Sequence, residues 1–281
     1  MSCGFSKLLA VSALVGSVGF SHAAEAKNEL FKEILERGEV RVGVKADYKP
    51  WGFRAPSGEL VGMEIDMAKG IADALGVKLM LVPVESANRI QFLQQGKIDL
   101  MIATLTDTAD RRKAIGMVDP VYYSAGANVL ANKSANIKTW EDLKEKPVCA
   151  RQGSYQNKLV SEQYGANIIA FLGQAEALQA LQQKRCVAYL SDDSLIQGQL
   201  QDKQIAQGFE MPLPTMWPLP WAVAVPMNER DRILGRFMSG MIYNWLANGY
   251  LVELEKKWGI APSRWLAEQT KILTETVKQP Q

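Results

Sequence analysis

The sequence predicts an α/β fold built as two successive units, each a mostly parallel sheet covered by helices, facing one another across a cleft. Three observations predict it. Short apolar strand runs alternate with helical stripes on short connections, which is how a parallel sheet acquires its crossovers. The alternation restarts after Ser124-Ala-Gly-Ala127. The last helices have no sheet of their own, so they must return to the first unit.

The elements follow in order. Val40 to Val44 alternates with the strand period, and Met63, Met67, Ile71 and Leu75 lie four apart on a helical stripe closed by Gly76. Leu79 to Val84 reads as a second strand, Arg89 to Gln95 as a short helix and Ile98 to Ala103 as a third strand. The second unit begins at Trp140-Glu-Asp-Leu143, which leads to the strand Val148 to Ala150. Gly153-Ser-Tyr155 opens a helix to about Tyr164, and Ile168 to Phe171 is a strand. Ala175 to Gln183 is a helix with Ala177, Leu178 and Leu181 inward; Cys186 to Leu190 is a strand, and Asp192 or Asp193 caps the next helix. A proline-rich return from Pro212 to Pro220 precedes helices over Asp231–Trp245 and Leu251–Trp258, and a polar tail follows. The expected division is a leader over 1–23, the first lobe over 24–125, the second over 126–218, and a return to the first lobe over 219–281.

The leader reads as a signal peptide: Lys7, an apolar core from Leu8 to Phe20, and a small-residue cleavage site at Ser21-His-Ala23. Its apolar run is short for a membrane span. Cys3 lies ahead of that core, where cleavage cannot expose it as a lipidated residue. The expected product is a soluble exported protein, long enough for two modest cores. The chain has 32 Lys and Arg against 30 Asp and Glu, no electrostatic case for nucleic acid. His22 is its one histidine and leaves with the leader. That excludes Ser-His-Asp and Cys-His nucleophiles and histidine metal sites. Cys149 and Cys186 remain, at the start of two neighbouring strands; in an oxidising compartment they form a disulfide or stay as buried thiols.

The segment most informative about function runs from Ile102 to Arg112. Thr104 and Thr106 leave the C-terminal end of an apolar strand, and Arg111 follows on what reads as a helix's first turn. Hydroxyls, free backbone N–H groups and a guanidinium around one point suit a carboxylate, to which arginine offers a fixed fork. The same residues also suit a solvated helix start with threonine caps. Ligands of open parallel sheets bind beyond the strands' carboxyl ends.

With these residues in place, the chain resembles the bacterial extracellular solute-binding proteins of family 3, the amino-acid receptors of ABC importers. Val42-Gly-Val-Lys-Ala-Asp-Tyr-Lys-Pro-Trp51 is similar to the family's opening strand and aromatic loop. Leu60-Val-Gly-Met-Glu-Ile-Asp-Met-Ala68 resembles its G-F-(D/E)-x-D-(L/V)-A helix start. Thr104-Leu-Thr to Arg111, with Asp119-Pro-Val-Tyr-Tyr123, resembles its T-x-T-x-x-x-x-R and D-P-x-Y signature. Gln152-Gly-Ser-Tyr155, Ser191-Asp-Asp193 and Asn248-Gly-Tyr250 with Lys257-Trp258 follow in the family's order. Asp107-Thr-Ala-Asp110 departs from the common I-T-P-E, Val187 stands where many relatives have Asp, and Trp217-Pro-Leu-Pro-Trp221 is an unusually rigid, aromatic return crossing.

The resemblance implies a two-lobed type II periplasmic-binding-protein fold closing on one free amino acid. Arg111 would clamp the α-carboxylate, helped by Thr106, by Thr104 beside it and by the Ser154 N–H. Asp192 would take the α-ammonium, with the Ala103 carbonyl turned towards it, and Tyr48 and Trp51 would wall the pocket. Lys45 and Arg89 face the same cleft mouth; relatives that bind aspartate or glutamate look similar there, which leaves an acidic or a polar neutral side chain. The implied partner is a membrane ABC permease and the implied state a monomer in the periplasm, with no cofactor and no metal. A second expectation is a cleft enzyme on the same scaffold, similar to cyclohexadienyl dehydratases, with Glu64, Asp66 or Glu85 as its acid or base. A third, an extracellular sensor domain, would continue into a membrane segment, whereas this sequence runs out in a polar tail.

Overall fold

Alternating valines in Glu39–Val44 put Val40, Val42 and Val44 at 0% exposure in the middle of a sheet. A computed structural model describes residues 29–278; the expected leader lies outside them. Glu39–Val44 pairs in parallel with Lys78–Pro83 on one side and Leu100–Ile102 on the other. Ala224–Val225 then joins antiparallel between Leu100–Ile102 and Gly116–Met117, so the end of the chain completes the first sheet. The helix Met63–Leu75 covers it with Met63, Ile65, Met67, Ala68 and Ile71 inward and ends on left-handed Gly76.

The second sheet is built from parallel strands Asn167–Phe171, Pro147–Arg151 and Ala188–Asp192, with the long Tyr123–Asn132 antiparallel at the far side. Its strands sit between the helices Gln156–Tyr164, Gln174–Gln182 and Asp193–Leu200. Cys149 and Cys186 are joined by a disulfide with Cα atoms 5.6 Å apart. Among the described residues no helix is long and apolar enough to cross a membrane.

Two segments connect the lobes. Tyr123–Asn132 leads out and Met216–Trp221 leads back, paired antiparallel with an irregularity between Met216 and Leu219. The proline-rich return is therefore a strand. Pro218 and Pro220 fit there because it is an outer strand, where a missing N–H costs no ladder bond. Trp51, Tyr123 and Trp221 pack where the strands cross, with the Trp51 ring 4.5 Å from Tyr123 and 4.7 Å from Trp221.

Three parts of the architecture depart from the expectations. The polar tail is a helix, Arg264–Lys278, that packs on Ile233–Ala247 and buries Leu266 completely. Its polar face, with Arg264 and Glu268 one turn apart, hid the apolar one. A small three-stranded sheet, Asp47–Tyr48, Gly52–Arg54 and Leu60–Val61, occupies the loop before the first long helix. Ser124-Ala-Gly-Ala127, read as a connection, lies inside the Tyr123–Asn132 strand.

Candidate functional site

The carboxyl ends of the parallel strands meet between the lobes. Lys45 follows the first strand and Thr104 to Thr106 follow Leu100–Ile102, while Arg151 and Asp192 end two strands of the second sheet. Arg89, Thr104, Thr106, Arg111, Ser154 and Asp192 line one cavity together with Ser86, Arg151, Tyr155 and Gln156. The cavity between them is tight, about 10 Å³, the room of a single water molecule. Gly153 adopts the left-handed conformation here (φ +78°), and a Cβ on it would lie 2.7 Å from the Ser86 carbonyl of the opposite lobe. The close approach of the walls needs a glycine at that point.

On the first-lobe wall the arginines are held by main-chain carbonyls. Arg89 donates from Nη1 to the Ala103 carbonyl and, at 3.2 Å, to that of Thr104. Arg111 donates from Nη1 to the Thr106 carbonyl at 2.7 Å and from Nη2 across the cleft to Gly153 at 3.2 Å. Thr108 caps the helix Ala109–Ala114 by accepting from the Arg111 N–H at 3.3 Å, which sets where the guanidinium leaves. Its neighbour Arg112 points away, onto Asp107 and Asp119. The two adjacent arginines thus differ: Arg111 lines the cleft, and Arg112 lies in an ion-pair cluster away from it. Thr106 bridges Trp221, which ties the segment to the return crossing.

The second-lobe wall is held partly by the first. Tyr48 donates its hydroxyl to Asp192 Oδ2 at 2.5 Å and sits 3.1 Å from Ser191 Oγ. The Arg151 guanidinium stacks on the Tyr48 ring 3.9 Å from its centroid. Within its own lobe Asp192 accepts from Gln156 Nε2 at 2.7 Å. Asp192 stands at the N-cap position of Asp193–Leu200, yet its side chain makes no cap bond and faces the cleft instead.

Burial governs the titration of these groups. Lys45 is fully buried, and desolvation with the nearby Arg151 and Arg89 holds its ammonium well below the usual lysine range; Glu85 Oε2 lies 3.7 Å away. Desolvation, with Arg111 and Arg151 close by, brings Arg89 down to about 9. Asp192 is raised by desolvation, against the pull of the Tyr48 hydroxyl and Arg151. Burial likewise pushes the Glu64 carboxyl up to about 7. Among the described residues, Lys45 Nζ, Arg89 Nε and Arg151 Nη1 are buried with no hydrogen-bond partner.

Several expected residues stand elsewhere or act differently. Trp51 does not line the cavity; it is locked edge-on between the two crossing strands. The Ala103 carbonyl faces Arg89 and the Thr104 hydroxyl, at 2.9 Å from the latter, and not an incoming ammonium. Ser154 precedes the helix Gln156–Tyr164, and its N–H turns back to the Arg151 carbonyl at 3.3 Å. Lys45 and Tyr48 are buried behind the lining residues, Tyr48 reaching the cavity wall through Asp192. Arg151 and Gln156 belong to the site and were not anticipated. For Arg151 the signal was available: one cation closing the apolar strand Val148-Cys-Ala, in the same strand-end position as Lys45 and Thr104.

Residues 40–261 match the family model of the bacterial extracellular solute-binding proteins, family 3. The chain belongs to this family. It is 32% identical over 257 residues to the ABC transporter glutamine-binding protein GlnH of Bacillus subtilis (strain 168), covering 89% of this chain and 92% of that one. It is 28% identical over 204 residues to the glutamate/aspartate import solute-binding protein of Escherichia coli (strain K12), covering 68% and 67%. Among solved structures, an ancestral amino acid-binding protein described as a precursor of cyclohexadienyl dehydratase superposes with a TM-score of 0.73 at 29% identity, over 81% of this chain and 98% of that one. The architecture described above is the type II fold of solved periplasmic amino-acid-binding proteins.

Proposed function

We propose that the cleft binds one free L-amino acid with an acidic or polar side chain and that the closed protein delivers it to an ABC permease from the periplasm. The observation that carries this reading is the balance of the lining: three arginines, Arg89, Arg111 and Arg151, against one carboxyl, Asp192. A zwitterion fits that set, its carboxylate on Arg111 and its ammonium on Asp192. The unpartnered donors on Arg89 and Arg151, both in the lining, favour a second acceptor on the ligand, and a carboxylate above a carboxamide. Cations in those places oppose a basic side chain. Closure proceeds by rotation about the paired strands Tyr123–Asn132 and Met216–Trp221.

We read the protein as a carrier and not a catalyst. An elimination needs a general acid or base at the substrate. Glu64 and Glu85 do not line the cavity, Asp66 is paired with Lys257 and Trp258, and Asp192 is engaged by Tyr48 and Gln156. A thermal-shift screen of residues 24–281 against free amino acids, dicarboxylates and a cyclohexadienyl acid tests both. A ligand at a thousandfold excess over Kd stabilises the fold by about 4 kcal/mol. A large shift with one or a few L-amino acids, lost in Arg111→Ala, is expected. No shift with any amino acid overturns the carrier reading, and turnover of the cyclohexadienyl acid replaces it with the enzyme.

A further inference from the structure

We propose that Glu64 is a positioning residue of the cleft: its buried carboxylate holds Thr104 in a left-handed backbone and so aims the Ala103 and Thr104 carbonyls that anchor Arg89. Thr104 has φ +47°, a conformation that a β-branched residue adopts only where its surroundings impose it. The imposing group is visible. Glu64 Oε1 accepts the Thr104 N–H at 2.7 Å and, on the same oxygen, the Tyr122 hydroxyl. Glu64 itself is fixed by the start of the helix Met63–Leu75. Gly62, at φ +135°, lets that helix start sit against the Trp51 carbonyl, where any Cβ would strike it. The Glu64 N–H donates to the same carbonyl at 2.9 Å. A chain of contacts therefore runs from Glu64 through Thr104 to Arg89, and Glu64 lines no part of the cavity.

The charge on Glu64 is part of the device. Its carboxyl is fully buried, with Tyr122, Arg89 and Lys45 as the titratable groups around it and, among the described residues, no hydrogen-bond partner on Oε2. Ionised, it makes charge-assisted bonds to the two donors and attracts Arg89. Protonated, it keeps only neutral ones, and its grip on Thr104 weakens. Affinity at the cleft is therefore expected to fall on acidification through neutrality. A purely electrostatic influence on an anionic ligand predicts the opposite sign.

The inference rests on the carrier reading above, and the test separates the two. Calorimetric Kd values for L-glutamate, L-aspartate and L-glutamine are measured from about pH 5.5 to about pH 8.5 on wild type, Glu64→Gln and Tyr122→Phe. Glu64→Gln keeps the volume and the accepting oxygen and removes the charge; Asp192 is unchanged in it, so the ratio of the two constants isolates Glu64. Binding by Glu64→Gln is expected to be about tenfold weaker than wild type at the high end and to converge on it at the low end. Tyr122→Phe, which removes a donor from the carboxylate, moves the inflection to higher pH. A ratio that stays at one, or stays constant across the range, overturns the positioning role while leaving the carrier reading intact if Arg111→Ala still abolishes binding. Absence of binding by wild type overturns both.

Discussion

On the first-lobe wall, Arg89 and Arg111 are tied to carbonyls of the Ala103–Thr106 segment, within their own lobe. On the second-lobe wall, Arg151 leans on the Tyr48 ring and Asp192 receives the Tyr48 hydroxyl, both from across the cleft. Both first-wall arginines thus have main-chain anchors in their own lobe, Arg111 adding one across the cleft to Gly153. The second wall draws on the opposite lobe through Tyr48 and on its own through Gln156. This division suits a receptor that captures a carboxylate on one rigid face and then locks the other face over the ammonium and side chain, because preorganised contacts lose little on binding while closure supplies the rest.

The largest expected effect is on the rigid wall. Arg111→Ala removes the guanidinium fork and is expected to raise Kd by about 100-fold or more. Arg111→Lys recovers little of it, because an ammonium cannot make two parallel bonds. Calorimetry on both variants decides; near-wild-type binding by the lysine variant would show that Arg111 acts only as a charge.

A smaller loss is expected on the other wall. Asp192→Asn keeps the shape that receives Tyr48 but removes the counter-charge, and a weakening of about 30-fold is expected from a lost charged hydrogen bond of about 2 kcal/mol. The pH dependence has a definite sign for stability too. Burial raises Asp192 and Glu64 above their unfolded values, so their contribution to folding is present at low pH and is lost as pH rises through the folded values. For Glu64, moved from 4.5 to about 7, that amounts to about 3 kcal/mol. The unliganded protein should therefore melt higher at about pH 5.5 than at about pH 8, with a flatter profile in Glu64→Gln, although wild type binds its ligand more weakly at the acid end. Parallel trends in melting temperature and affinity would contradict this.

Asp47 offers a finer cut, since it does not line the cavity and makes no hydrogen bond to a residue that does. Its Oδ2 accepts the Gln174 N–H at 2.7 Å, capping the helix Gln174–Gln182 of the opposite lobe. A cap contributes about 1 kcal/mol, and this one exists only while the lobes are together. Asp47→Ala is expected to weaken binding by about fivefold, through a faster off-rate in stopped-flow fluorescence. A slower on-rate with unchanged dissociation would place Asp47 in encounter and not in closure.

Much of this site was legible because its residues end apolar strands. Lys45 and Thr104 could be placed at the cleft from the apolar runs before them, while Asp192 read from its pattern as a helix cap and came to the cleft only through the family resemblance. Arg151 obeys the same rule less visibly, because Val148-Cys-Ala is short and its arginine begins what reads as a loop. Trp51 was misplaced for the opposite reason. An aromatic in a loop near a strand end suits a pocket wall, and only tertiary packing shows that it wedges the crossing strands. The crossings were obscured by Gly126 in one and by Pro218 and Pro220 in the other, which break the alternation that marks a strand. Glu64 could be weighed from sequence only as an acid or base, since its bond to the left-handed Thr104, forty residues away, exists only in the folded chain.

The smallest expected effect on affinity tests how far the second wall depends on its own lobe. Cys149 lies two residues before Arg151 on the same strand, and its disulfide to Cys186 spans 37 residues. Closing a loop of that size contributes about 4 kcal/mol through the unfolded chain. Replacing both cysteines by serine should lower the unfolding free energy in urea by an amount of that order. The native strand remains hydrogen-bonded to its neighbours on both sides, at Cys149↔Ile169 and Cys149↔Tyr189. Arg151 should therefore keep its place over Tyr48, and Kd should change by no more than about twofold. If affinity falls in step with stability, the disulfide is part of what aims Arg151, and the second wall is less dependent on closure than its contacts with Tyr48 imply.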